Sequence, residues 1–239
     1  FGSMMMDLKG AKFGDVILLH GCCHNPTGAN LTMDNWEEVT TFCLEKGLIP
    51  LIDIAYQGFG DGLRDDVSGV QHMAQNVPEM MLGTSCSKNF GVYRDRVGCA
   101  IVIASNTKDA KLAEDNLKSL NRLTFSFPPD HGAALVDLIL SDSDLQKSWE
   151  IELESMRKGM LNLRERLAES LRSETKTDRF NFIKNHRGMF SRLGLSLVDV
   201  DRLREEFGVY MVSDSRINIA GLQNDRLDFL ASSIAKVLR

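Results

Sequence analysis

Four short segments hold the side chains with most to offer chemistry. In Ser85-Cys86-Ser87-Lys88-Asn89-Phe90-Gly91 a lysine follows directly on an apolar run, with Arg96-Val97-Gly98 close behind. A lysine is an odd choice just after a buried strand unless its amine is needed there. Asp53-Ile54-Ala55-Tyr56 closes a second apolar run. A carboxylate in that place is most often a cap or an ion-pair partner, so alone it says little. His24-Asn25-Pro26-Thr27-Gly28 follows a third run, and an Asn-Pro-Thr-Gly stretch by itself reads as a turn. Ser215-Arg216-Ile217-Asn218-Ile219-Ala220-Gly221 sets a guanidinium beside an apolar strand.

These side chains need elements to position them, and the hydrophobic pattern supplies a set. The apolar run over 16–19 reads as a strand buried on both faces. Thr32 then offers an N-cap, Trp36, Val39 and Cys43 mark one helical face, and Gly47 supplies the stop. Further strands are predicted over 49–54, 80–84 and 98–104. Strands alternating with helices imply an α/β fold with a parallel or mixed sheet, and such sheets bind ligands beyond the carboxyl ends of their strands. The polar residues of interest stand at those ends. Later, Trp149, Leu153, Met156, Met160, Leu163, Leu167 and Leu171 recur at steps of three and four, which predicts a long amphipathic helix with its methionines in the core. Short strands are predicted over 180–183, 189–191, 209–212 and 217–220. A closing helix over 225–238 carries Leu227, Leu230 and Ile234 on one face.

Composition narrows the classes. The 239 residues carry a formal net charge of −5, with 43% hydrophobic and 26% charged residues, as in an ordinary globular protein. Disorder, collagen and coiled coil are thereby excluded. Mild acidity without a basic cluster argues against nucleic acid or an anionic membrane as partner. No apolar run approaches the roughly eighteen residues that span a bilayer. The cysteine count of 5 is odd, Cys22 and Cys23 are adjacent, and no Cys/His spacing suggests zinc. Reduced thiols in a cytoplasmic setting are the expectation, and any organelle-targeting segment would have been lost with the missing N-terminal part. The opening Phe1-Gly2-Ser3-Met4 is neither a signal peptide nor an ordinary initiator, which predicts a chain truncated at its N-terminus.

In order, these segments resemble the class I, fold type I pyridoxal-phosphate aminotransferases of the aspartate and aromatic amino-acid group. The resemblance rests on Leu18-Leu19-His20-Gly21-Cys22-Cys23-His24-Asn25-Pro26-Thr27-Gly28, on Asp53-Ile54-Ala55-Tyr56-Gln57-Gly58-Phe59 and on Ser85-Cys86-Ser87-Lys88-Asn89-Phe90-Gly91. Gly188-Met189-Phe190-Ser191 and Arg216-Ile217-Asn218-Ile219-Ala220-Gly221 carry it to the end of the chain. It implies an α/β fold, with a mixed, mostly parallel sheet, flanking helices and a smaller α+β C-terminal domain. Residues 1–130 would be the C-terminal part of the large cofactor-binding domain, 131–155 a long connecting helix, and 156–239 the C-terminal part of the small domain. The implied reaction is transamination between an amino acid and a 2-oxo acid, with pyridoxal 5'-phosphate as cofactor and a homodimer as the assembly. By the same resemblance Lys88 forms the Schiff base and moves a proton, and Asp53 pairs with the pyridine nitrogen. Tyr56 and Asn25 would bond the ring's phenolic oxygen, while Ser85 and Arg96 would cradle the phosphate. Arg216 would clamp the substrate's α-carboxylate, with a further contact from Asn25. Arg122, four residues before Ser126, matches the arginine that reaches the partner subunit's site and binds the distal carboxylate of aspartate or glutamate. His20 and His24 are expected to be packing histidines beside the site, and Tyr93 and Trp149 are given no role.

The match departs from the family pattern in two ways. Phe127 stands where the family has Asn, which puts the role of Arg122 in question. The family's N-terminal arm, phosphate-binding Ser/Gly/Thr turn, ring-stacking aromatic residue and cross-subunit tyrosine have no counterpart here. Aspartate or glutamate is the leading substrate expectation and an aromatic amino acid the alternative. A non-catalytic remnant that binds cofactor weakly is the second.

Overall fold

The alternation of apolar runs and capped helices builds a computed structural model that describes residues 1–238. It divides into two units: residues 1–22, 31–57 and 63–152 form one, and 23–30, 58–62 and 153 onward form the other.

In the first unit, a helix α1 (Gly2–Leu8) precedes β1 (Val16–His20), α2 (Met33–Lys46), β2 (Ile49–Ile54), α3 (Ser68–Asn76), β3 (Met80–Ser85) and β4 (Gly98–Ile103). The strands form one sheet in the order β1-β2-β3-β4. β1, β2 and β3 run parallel, and β4 returns antiparallel to β3. The helix α2 begins and ends as its sequence requires: the Thr32 hydroxyl accepts from the Asn35 backbone at 3.2 Å, and Gly47 closes it at φ 63°. Trp36, Val39 and Cys43 are buried together with Ile17, Leu19, Ile52, Ile54, Val70 and Met73. The first strand departs from expectation. β1 buries Ile17 and Leu19 but leaves Val16 52% and Leu18 61% exposed, the alternation of a strand packed on one face only, which the inner strand β2 shares. The unit continues through α4 (Thr107–Thr124) and α5 (Asp130–Ser141). The long α6 (Ser143–Thr175) starts where Asp142 Oδ1 accepts from the amides of Asp144 and Leu145 at 2.9 and 3.0 Å. Residues 131–155 therefore hold most of α5 and the first part of α6.

The second unit contains the rest of α6, then α7 (Phe182–Asn185), β5 (Phe190–Arg192), α8 (Leu197–Phe207), β6 (Arg216–Asn218) and α9 (Leu227–Val237). β5 and β6 pair antiparallel, with Phe190 opposite Asn218 and Arg192 opposite Arg216. Leu153, Met160, Leu167 and Leu171 of α6 are buried, as are Leu203, Ile219, Leu227 and Ile234, whereas Met156 is exposed rather than in the core. Two predicted strands are absent. Phe180 and Ile183 are both buried, and burial three residues apart fits the turn that leads into α7, not the period of a strand. Over 209–212 no strand forms: Tyr210 is 80% exposed and the segment pairs with no other, so β-propensity had nothing to act on. Among the described residues no helix is long and apolar enough to cross a membrane.

Candidate active site

Parallel pairing of β2 and β3 brings the first group together. Asp53 lies opposite Gly83 and Ile54 opposite Thr84, so both strands release their chains toward the same end of the sheet. Asp53 is the penultimate residue of β2 and is exposed. Tyr56 follows, with its ring buried. Lys88, three residues past β3, is half-buried, and its Nζ stands 4.8 Å from the centre of the Tyr56 ring. Ser85 ends β3, where its hydroxyl accepts from the Ser87 amide at 3.2 Å. Between Ser85 and Lys88, burial pushes the Cys86 thiol up, with Cys99 adding to the effect, so this thiol stays neutral.

The lysine loop is tied down by residues that the sequence did not mark. Asn89 Nδ2 donates to the Gln57 carbonyl at 3.2 Å, joining the loop after β3 to the loop after β2. Trp149 Nε1 donates to the Asn89 carbonyl at 2.8 Å, and the Trp149 ring stacks on Phe90 at 4.3 Å and 11°. Trp149 thus holds both residues that follow Lys88. Its position on the apolar stripe of α6 was legible, but its indole N–H partner lies 60 residues away in sequence and was not.

Arg96 sits in the return from this loop to β4, exposed, at φ 53°, with Nη1 donating to the Tyr93 carbonyl at 3.0 Å. Gly98 pairs with Ser85, and the Cys86 amide donates to the Val97 carbonyl, so the backbone brings the Arg96 turn to the strand end that carries Ser85. Gly98 is required by that closeness, since a Cβ there would stand 2.3 Å from the Thr84 carbonyl oxygen. Arg122, at the end of α4, is exposed; its Nη1 donates to Ser126 Oγ at 2.5 Å and its guanidinium lies 5.9 Å from the Phe127 ring centre.

The second unit holds the remaining two predicted residues, and they touch. Arg216 Nη1 donates to Asn25 Oδ1 at 2.9 Å across 191 residues of sequence. The Arg216 guanidinium also lies 5.1 Å from the centre of the Phe190 ring. Just before it, Ser215 is buried at φ 61°, and its hydroxyl accepts from the amides of Gly194 and Leu195 at 2.9 and 3.1 Å. Those bonds hold a left-handed residue that would otherwise be unfavourable. Asn25 precedes a cis Pro26, and the turn closes with the Gly28 amide donating to the His24 carbonyl. His24 and Thr27 side chains bond each other at 2.7 Å, consistent with a packing role for this histidine.

The chemistry of the donors is specific. One group offers an amine, a carboxylate, a phenol and a hydroxyl at or just past the ends of β2 and β3, with a guanidinium on the turn that leads into β4. This set suits an aromatic aldehyde that bears a basic ring nitrogen, a phenolic oxygen and a phosphate. The other group offers a half-buried guanidinium oriented by an amide oxygen, which suits a carboxylate.

Comparison with known proteins identifies the family. A family model described as aminotransferase class I and II matches residues 1–234. The chain is 52% identical over 237 residues to the aromatic-amino-acid aminotransferase of Paracoccus denitrificans, covering 99% of the chain and 60% of that protein. It is 41% identical over 238 residues to the aspartate aminotransferase of Escherichia coli K12, covering 100% of the chain and again 60% of the relative. Its fold superposes with a TM-score of 0.95 on the crystal structure of an aromatic-amino-acid aminotransferase from Burkholderia pseudomallei covalently bound to pyridoxal phosphate. That structure is 40% identical, and the match covers 100% of this chain and 60% of that one. The chain thus spans about three-fifths of the length of the relatives it matches.

Proposed function

Because the chain belongs to the class I and II aminotransferase family, we propose that it serves transamination between an amino acid and a 2-oxo acid, with pyridoxal 5'-phosphate held through Lys88. The observation that carries this reading is the placement of the Lys88 amine 4.8 Å from the buried Tyr56 ring, with Asp53 on the adjoining strand. The donor set fits the cofactor. When bound, pyridoxal phosphate supplies an electron sink for the charge left on the substrate's α-carbon. The residues of the chain do the rest. The Lys88 amine anchors the group covalently and, once released, carries a proton to and from the α-carbon. Asp53 presents a carboxylate that keeps the ring nitrogen protonated, a charge pairing that matters most as negative charge develops. The Tyr56 hydroxyl serves the phenolic oxygen, while Ser85 and Arg96 serve the phosphate.

Arg216, with Asn25 beside it, binds the α-carboxylate of every substrate. An aromatic amino acid is the favoured donor, supported by the 52% identity to a relative named for aromatic substrates against 41% to one named for aspartate. Phe127, in place of the family's Asn, points the same way. Aspartate or glutamate remains the second reading and rests on Arg122, whose guanidinium would meet a side-chain carboxylate in the partner subunit of a homodimer. The test of the whole reading is chemical. Borohydride reduction of the protein with pyridoxal phosphate, followed by peptide mapping, fixes the label on Lys88; a label on another lysine, or none, overturns it.

A further inference from the structure

Arg164, on α6, is fully buried. Its Nη1 donates to the Ile183 carbonyl at 3.2 Å and to Ser191 Oγ at 2.7 Å. Its Nη2 donates to the carbonyls of Arg187, Gly188 and Phe190 at 3.0, 2.8 and 2.7 Å. Nε has no partner among the described residues. Every acceptor is neutral. Burial lowers the pKa to about 10, so the group stays charged at neutral pH. A buried cation whose five hydrogen bonds all go to carbonyls and a hydroxyl is a costly way to fill a core, since an apolar side chain would pack there without desolvation. The use of Arg164 therefore lies in what its five bonds hold in place.

Four of those acceptors fall within residues 187–191. That short segment underlies both members of the carboxylate-binding pair. On one side, β5 begins at Phe190, pairs with the strand that Arg216 begins, and sets the Phe190 ring 5.1 Å from the Arg216 guanidinium. On the other, the turn that carries Asn25 is seated on the same segment. The Arg187 amide donates to the Gly28 carbonyl at 2.8 Å, and His186 Nδ1 donates to the Thr27 carbonyl at 2.9 Å. The fit is close: a Cβ on Gly28 would stand 2.4 Å from the Phe190 oxygen and 3.1 Å from Arg164 Nη2.

We infer that Arg164 is a positioning residue: by gathering the 187–191 segment on one guanidinium, it holds the Asn25 turn and Phe190 where Arg216 can grip a carboxylate. This rests on the reading of Arg216 as the α-carboxylate residue. A lysine in its place keeps the charge but not the planar fork that reaches five acceptors at once.

The test uses the protein loaded with pyridoxal phosphate and the probe 3-phenylpropionate, a monocarboxylate with no amine, titrated by calorimetry. Arg164→Lys is expected to weaken probe binding about 10-fold and to raise KM for every amino acid far more than it lowers kcat. A role in stability alone would lower the melting temperature and leave probe affinity in the folded protein unchanged, and that result overturns the inference. If Arg164→Lys does not fold, Ser191→Ala decides, since it removes one acceptor of the five. Binding weakened by about 3-fold then supports the inference, and unchanged binding overturns it. Arg216→Ala is measured alongside: wild-type affinity in that variant locates the failure in the reading of Arg216, and the inference falls with it.

Discussion

Trp149 offers a test of how the lysine loop is held, because one substitution separates its two contacts. Trp149→Phe keeps a ring to stack on Phe90, now 4.3 Å away, and removes the 2.8 Å bond to the Asn89 carbonyl. Asn89 is only 8% exposed, so water does not readily replace the indole. A buried carbonyl left without its donor costs about 1–2 kcal/mol, which in a domain of this size lowers the melting temperature by about 2–8 °C. Trp149→Ala removes the stack as well, for a further ~0.5–1.5 kcal/mol beyond the lost burial. The loss should appear locally. The amides of Phe90 and Gly91 donate to the carbonyls of Cys86 and Lys88, and they exchange when the loop opens. A drop of 1–2 kcal/mol should speed their hydrogen exchange about 5–30-fold in Trp149→Phe, while the amides of α2 are unaffected. If Trp149→Phe melts as the wild type does and Gly91 exchanges at the wild-type rate, the indole bond does not secure the loop.

Two further predictions concern charge. Arg122→Ala should cut activity on aspartate about 30-fold or more while sparing phenylalanine, since stranding a substrate carboxylate costs about 2–5 kcal/mol; an unchanged aspartate-to-phenylalanine ratio would leave Arg122 as an exposed loop charge. His186 should make stability fall with acid: burial, and then the cationic Arg164 and Arg187, hold its pKa below the usual 6.5 despite its bond to the Thr27 carbonyl. The unfolded chain then takes up that proton first, so stability declines as pH drops below about 6.5 and levels off at the folded value. Urea unfolding at pH 7.5 and 5.5 should show a smaller loss in His186→Gln than in the wild type, and equal losses would reject the assignment.

What the sequence made legible follows from the range of the forces involved. The strands over 49–54 and 80–84, and the helix between Thr32 and Gly47, are written locally, in apolar runs and in caps that act over three or four residues. Lys88 stood out for a related reason: an amine directly after an apolar run carries a desolvation cost that calls for a use, whereas Asp53 by itself said little and entered through the family resemblance. The failures lie where a local pattern met a non-local partner. Residues 209–212 had the composition of a strand and found no strand to pair with, and Leu18 faced a side of the sheet that is left uncovered. Arg164 is the extreme case. On an amphipathic helix an arginine reads as a solvated charge, and only the return of residues 183–191 onto α6 turns it into a buried cation with five hydrogen bonds. The Asn25–Arg216 contact, 191 residues apart, has the same character. Short-range chemistry thus marks the candidate residues of the proposed reaction, whereas the residues that hold them in place are defined by contacts that exist only after folding. Substitutions at Trp149, Ser191 and Arg164 accordingly probe the fold's contribution to function separately from that of Lys88 and Asp53.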